Sequence, residues 1–212
     1  MPEVIFTGPE GRLEGRYSHS KIKNAPLALV LHPSPELGGT MNNKINYMMF
    51  QAFVARGFSV LRFNFRGVGR SQGIFDRGEG ELSDAASALD WMQEINPNAP
   101  YTYIGGFSFG AWIGMQLLMR RPGIDGFISI AAPASDYDFT FLAPCPSSGL
   151  IIHGTRDENV PLNSVTKLGD KLNSQKGIEV SMCLIEGADH YFAKQQEEVV
   201  RQTSSYLDKR GA

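Results

Sequence analysis

The stretch that decides the reading of this chain is Tyr101-Thr102-Tyr103-Ile104-Gly105-Gly106-Phe107-Ser108-Phe109-Gly110-Ala111-Trp112-Ile113-Gly114-Met115-Gln116-Leu117-Leu118. An apolar run enters it and a second apolar run leaves it. Gly106-Phe107-Ser108-Phe109-Gly110 stands between them. Strand, sharp turn and helix is the context that holds a serine in a strained conformation, with its hydroxyl aimed out of the sheet edge. Glycines on either side remove Cβ atoms that would collide with the neighbouring strand and helix. The five-residue pattern alone carries little weight, since chance supplies it in roughly one chain in five of this glycine and serine content. The flanks give it meaning, and they make Ser108 a candidate nucleophile.

Working outward, the same alternation recurs along the chain. Val4–Phe6 and Leu13–Ser18 read as a hairpin turned at Gly8-Pro9-Glu10-Gly11. Leu27–Leu31 is wholly apolar, as expected of a strand covered on both faces. Ile45, Met48, Met49, Ala52 and Phe53 mark one face of a helix, and Phe58–Phe65 the next strand. Leu82, Ala85, Ala86, Leu89, Met92 and Ile95 mark a second helix, stopped at Asn96-Pro97. After the Ser108 segment come strands at Phe127–Ala131, Leu150–His153 and Val180–Ile185. Helices are expected around Val165–Leu172 and Val199–Leu207. Such alternation predicts a largely parallel sheet with helices on both faces. In such a sheet ligands bind beyond the carboxyl ends of the strands, so the chemistry is expected there.

Composition sets bounds on partners. The 212 residues fit one domain spanning the whole chain, with no repeat or linker to divide it. A net charge of -2 gives no footprint for nucleic acid or an anionic membrane. No run of about 18 apolar residues is present, and Met1–Phe6 lacks the basic and apolar regions of a secretory signal, so a cytoplasmic protein without membrane contact is expected. Cys145 and Cys183 form no C-x-x-C and read as buried thiols. Composition leaves homo-oligomerisation open.

A serine hydroxyl needs a base. His190, in Glu186-Gly187-Ala188-Asp189-His190 after the last strand, lies where a loop reaches over the sheet edge. It is preferred to His19, His32 and His153. Asp157, in His153-Gly154-Thr155-Arg156-Asp157, is the candidate to orient that base; the rival reading is a helix-capping aspartate, and Asp189 ranks below. An acyl transfer also needs oxyanion donors. The Phe109 N–H is one. The other comes from His32-Pro33-Ser34-Pro35-Glu36-Leu37, where the prolines have no N–H; Ser34 is favoured and Leu37 is the alternative. Phe107, Phe109, Trp112, Tyr191 and Phe192 either line an acyl pocket or belong to the core. The glycine loop Gly67–Gly73 completes no phosphate-binding motif and reads as a structural turn. Asp76, Glu79, Glu81 and Asp84 read as a solvated loop and helix N-terminus rather than a metal site.

Taken together, Gly106–Gly110, His153–Asp157, Gly187–His190 and Arg66-Gly67-Val68-Gly69-Arg70-Ser71 resemble the α/β-hydrolases over nearly the whole chain. The order Ser108, Asp157, His190 is the order of that superfamily. His32–Pro35 with Gly38-Gly39, Met41–Lys44 and Phe63–Gly67 is similar to a compact bacterial subgroup near the dienelactone hydrolases. That subgroup carries a second histidine where this chain has Ser34, so no role passes to the Ser34 side chain. Dienelactone hydrolases use a cysteine nucleophile, so their activity does not transfer to Ser108. The resemblance implies an eight-stranded, mostly parallel sheet and cleavage of esters or thioesters without metal or other cofactor. Only Ala132–Gly149 is available for a lid, too little for a cap domain, so an open site for small or medium acyl esters is expected. The alternatives are a thioesterase or small peptidase with the same triad, and a non-catalytic binding protein on this fold.

Overall fold

The structure, a computed structural model, describes residues 2–211. One sheet of eight strands runs through it, in the order β1-β2-β4-β3-β5-β6-β7-β8. The strands are β1 (Glu3–Gly8), β2 (Gly11–Ser18), β3 (Leu27–Leu31), β4 (Ser59–Phe63), β5 (Thr102–Phe107), β6 (Gly126–Ile130), β7 (Gly149–Gly154) and β8 (Val180–Ile185). Helices α1 (Lys44–Val54), α2 (Glu79–Ile95), α3 (Phe109–Arg120), α4 (Leu162–Asn173) and α5 (Gln196–Arg210) connect or follow them. β1 and β2 form the expected hairpin, and β2 lies antiparallel to β4. From β4 to β8 every pairing is parallel.

The apolar runs explain this arrangement. β3 to β7 are buried at every position, because helices cover both faces. Alternate residues of β3 enter different cores. Leu27, Leu29 and Leu31 belong to the core that also takes in residues of α2, α3 and α4, whereas Ala28 and Val30 belong to the core that takes in residues of α1 and α5. β8 has a neighbour on one side only and is partly exposed, which leaves Cys183 half-buried rather than buried; Cys145 is buried.

Two acidic residues depart from the solvated reading. Asp84 is fully buried, and its carboxylate accepts from the Arg66 backbone N–H, Nε and Nη2 at 3.0, 3.0 and 2.8 Å. Glu81 is also fully buried and accepts from the Asp76 and Gly78 N–H groups at 3.0 and 2.7 Å. Arg66 lies just beyond β4 and Asp84 on α2, so the pair fastens the glycine loop to the helix. Glu14 anchors that loop from the other side, accepting from the Asn64 side chain and the Arg70 N–H, both at 2.7 Å. The loop is a structural turn held by buried carboxylates.

β6 and β7 are joined by a connection without a helix, so among the described residues no cap domain is inserted there. The carboxyl ends of β3, β5 and β7 are therefore left accessible.

A close backbone constraint lies at the β5–α3 turn. A Cβ on Gly106 would stand 2.3 Å from the Gly110 carbonyl oxygen, and one on Gly110 would stand 2.3 Å from that of Leu31. Neither backbone has room to move. Gly110→Ala is expected to cost about 1–3 kcal/mol or more, the range of an overpacked core. Urea denaturation of the variant checks this; an unchanged midpoint would contradict the packing described.

Candidate active site

Ser108 follows β5 directly and caps the start of α3. Its backbone sits at φ 53°, ψ -120°, a region that costs a residue with a side chain on the order of 1–3 kcal/mol. Three bonds hold it there: Ser108 N–H donates to the Ile130 carbonyl on β6 at 2.8 Å, and the Ser108 carbonyl accepts from the Ala111 and Trp112 N–H groups at 2.8 and 3.3 Å. The side chain is thereby turned up, away from the sheet.

The other two residues arrive on loops laced to each other. Asp157 lies past β7 and His190 past β8. Arg156 N–H donates to the Ala188 carbonyl at 3.0 Å, and Gly187 N–H donates to Thr155 Oγ1 at 2.8 Å. The Asp157 carboxylate is buried. Its Oδ1 accepts from the N–H groups of Asn159 and Val160 at 2.9 and 2.8 Å. Its Oδ2 lies 2.7 Å from His190 Nδ1, and His190 Nε2 lies 3.2 Å from Ser108 Oγ. A carboxylate only accepts, so Nδ1 carries the proton and Nε2 turns its lone pair to the hydroxyl. Burial pushes the Asp157 carboxyl up, but the hydrogen bonds from His190 and Val160 outweigh it and hold it below the usual range. The three candidates thus form one connected chain. Asp189 is exposed and instead accepts from Ala193 N–H at 3.0 Å.

The imidazole is gripped by rings. Phe107 packs against it at a centroid separation of 5.4 Å, and Tyr191 meets it edge-on at 5.1 Å. His153 sits behind the carboxylate, fully buried, bonding Val160 O through Nε2 at 3.0 Å, with Nε2 3.9 Å from Asp157 Oδ2. Burial lowers its pKa, against the pull of Asp157, so His153 is a neutral support for that loop.

A cleft of about 620 Å³ opens over Ser108 and His190. Of the expected pocket residues, Phe109 and Tyr191 line it. Phe107 and Phe192 are fully buried in the core under α1 and α5, because their side chains point into the sheet layer. Phe192 roots the His190 loop. Trp112 stands behind the cleft, donating Nε1–H to the Asp138 carbonyl at 3.1 Å and stacking on Tyr137 at 4.2 Å. Tyr137, Asp136, Glu36 and Asn159, which the sequence did not single out for the pocket, line the cleft instead.

Ser34 and Phe109, whose N–H groups are the favoured oxyanion donors, both line this cleft. Among the described residues, neither the Ser34 nor the Phe109 N–H has a hydrogen-bond acceptor. Leu37, the alternative, is spent: its N–H donates to the Ser34 carbonyl at 3.2 Å within a 3-10 turn, Pro35–Leu37. α3 begins at Phe109, so its N-terminal dipole also favours negative charge at that point.

His32 acquires a role that its sequence context did not reveal. It is fully buried at the end of β3. Its Nδ1–H donates to the Pro33 carbonyl at 2.7 Å, and its Nε2 accepts the Phe65 N–H at 3.0 Å. Pro33 C=O and Ser34 N–H belong to one rigid peptide plane. His32 therefore fixes the direction in which the Ser34 N–H points.

Known proteins agree with this architecture. The α/β hydrolase fold family matches residues 37–148, and the prolyl oligopeptidase family matches residues 131–210. A protein of unknown function from Agrobacterium tumefaciens is 58% identical, with 99% of this chain and 96% of that one covered and a TM-score of 0.97. An α/β serine hydrolase homologue from Coxiella burnetii is 31% identical, with 97% of each chain covered and a TM-score of 0.85. An α/β serine hydrolase without lid from Xanthomonas campestris is 28% identical, with 98% and 94% covered and a TM-score of 0.89.

Burial lowers the His32 pKa to about 4, against the raising effect of its Pro33 bond. An unfolded chain binds that proton near the ordinary histidine value while the folded chain refuses it. The group's contribution is therefore complete above about pH 6.5 and is lost as pH falls toward about 4, amounting to up to about 3 kcal/mol. His32→Gln is expected to be less stable than wild type at pH 7.5, and the gap should narrow by pH 4.5. Urea denaturation at both pH values measures it; a gap independent of pH would contradict the neutral, doubly bonded state.

Proposed function

The chain belongs to the α/β-hydrolase fold family, and on that premise we propose that it is a serine hydrolase cleaving small or medium carboxylic esters through an acyl-enzyme, within one catalytic domain. The observation that carries the reading is the continuous contact from Asp157 Oδ2 to His190 Nδ1 at 2.7 Å and from His190 Nε2 to Ser108 Oγ at 3.2 Å. An imidazole with its lone pair on a serine hydroxyl and its other nitrogen on a buried carboxylate is a general base with a fixed tautomer.

In the proposed mechanism Ser108 Oγ forms a bond to the carbonyl carbon while its proton passes to His190 Nε2. The carbonyl oxygen takes the electron pair and receives the N–H groups of Phe109 and Ser34. Collapse of this intermediate breaks the bond to the alcohol, and His190 returns the proton to the departing oxygen. Water repeats the sequence on the acyl-enzyme, its proton passing to His190 and then to Ser108. Asp157 stays ionised throughout and stabilises the imidazolium. Each oxyanion donor supplies about 3 kcal/mol to such a step. The absence of a cap domain supports small or medium esters over interfacial lipids.

The match to the prolyl oligopeptidase family over residues 131–210 favours a second reading, a small peptidase using the same triad. It requires the same acyl-enzyme, with an amine leaving in place of an alcohol.

With p-nitrophenyl butyrate, Ser108→Ala is expected to lower kcat by about 10⁴-fold or more, with His190→Ala in the same range. Steady-state kinetics on folded variants tests this, and undiminished turnover by Ser108→Ala would rule the mechanism out. Comparing kcat/KM for an ester and an aminoacyl amide of matched acyl group separates the two readings.

A further inference from the structure

The cleft over Ser108 carries a charge pattern that the triad does not use. Apart from His190, its ionisable lining consists of Glu36, Asp136 and the phenols Tyr137 and Tyr191; no lysine or arginine lines it among the described residues. Glu36 stands on the turn after β3, and Asp136 stands in the connection between β6 and β7, so the two carboxylates come from separate elements. Among the described residues neither forms an ion pair. Tyr137 reports their combined field. Its hydroxyl pKa is raised first by burial, then by Asp136, Glu36 and the buried Glu81. Leu37 and Tyr191, 83% and 52% exposed, complete the rim with apolar surface. An arriving substrate therefore meets negative charge, an aliphatic side chain and two aromatic rings, and no compensating cation.

We propose that this cleft selects esters carrying a cationic nitrogen and disfavours anionic ones, with Glu36 and Asp136 as its specificity-determining residues. The inference rests on the ester-hydrolase reading above and names its substrate class. A cation entering the cleft is drawn by both carboxylates, and Tyr137 or Tyr191 offers a ring face for it. Because the carboxylates are exposed, the attraction is screened over about 8 Å at physiological ionic strength. The discrimination is therefore salt-dependent. The same field opposes phosphate-bearing acyl thioesters, which distinguishes this substrate class from that of a coenzyme-linked thioesterase. The cation can sit on the acyl group or on the departing alcohol, and the two placements put it on opposite sides of Ser108.

Two matched ester series separate these placements. In the first, the butyrate ester of a trimethylammonioethyl alcohol is compared with its 3,3-dimethylbutyl isostere and with a sulfonatoethyl ester. In the second, the ethyl ester of 4-(trimethylammonio)butyrate is compared with ethyl 5,5-dimethylhexanoate and monoethyl succinate. At low salt, kcat/KM for the cationic member of at least one series is expected to exceed its neutral isostere by about fivefold or more, and the anionic member by more. The ratio should fall toward one in 0.5 M NaCl, and toward one in the Glu36→Gln/Asp136→Asn double variant. Using the ratio cancels any general effect of the substitutions on turnover. A ratio of one or less in both series at low salt, or a ratio that survives in the double variant, overturns the inference while the neutral esters still report hydrolysis. Hydrolysis of no member of either series overturns the ester-hydrolase reading, and this inference with it.

Discussion

The structure depends on one strained residue. Ser108 occupies φ 53° because the chain must turn from β5 into α3 within a single residue, and the glycines beside it permit the turn. Gly106 lets the start of α3 approach β5, and Gly110 lets α3 rest on the end of β3. The sheet, α3 and the β3 loop are thus in backbone contact at the point where the hydroxyl emerges. Strain of this kind persists only where the surroundings over-determine it. Here they are the parallel bonding of β5 to β3 and β6 and the apolar cores on both faces.

Around that fixed point the site is assembled from loops whose positions are set by hydrogen bonds together with apolar anchors such as Phe192. Backbone donors hold the Asp157 carboxylate, His153 braces the loop at Val160, and the Asp157 and His190 loops exchange bonds with each other. His32 performs the corresponding task on the opposite side, for the peptide between Pro33 and Ser34. Two buried histidines kept neutral by desolvation therefore support the site without touching the proposed reacting atoms. Their value is rigidity: a neutral imidazole offers one donor and one acceptor in a fixed direction, and burial removes competition from water.

Much of this was legible in the sequence, for definite reasons. Wholly apolar runs such as Leu27–Leu31 announce buried parallel strands, and the elbow, His153–Asp157 and Gly187–His190 segments fall at strand ends, where topology brings loops together. The pocket was less legible. Phe107 and Phe109 flank Ser108 symmetrically in sequence, yet they enter opposite cores, and only the direction of each side chain decides which ring reaches the cleft. Trp112 was assigned by its type, but its indole is bound to the β6–β7 connection and presents Tyr137 in its place. Glu81 and Asp84 look like an ordinary acidic helix start until the Asp76–Gly78 backbone folds over the one and Arg66 arrives from a different element at the other. Leu37 was removed as an oxyanion donor by a local turn bond that no propensity reveals.

The central claim is that His190 makes the Ser108 hydroxyl a nucleophile. It is tested most directly by treating the folded protein with a small fluorophosphonate and locating the adduct by peptide mass spectrometry. The account predicts one phosphonyl group, on Ser108, and loss of labelling in His190→Ala with the fold intact. Absence of an adduct, attachment at another residue, or equal labelling in the His190 variant would contradict it.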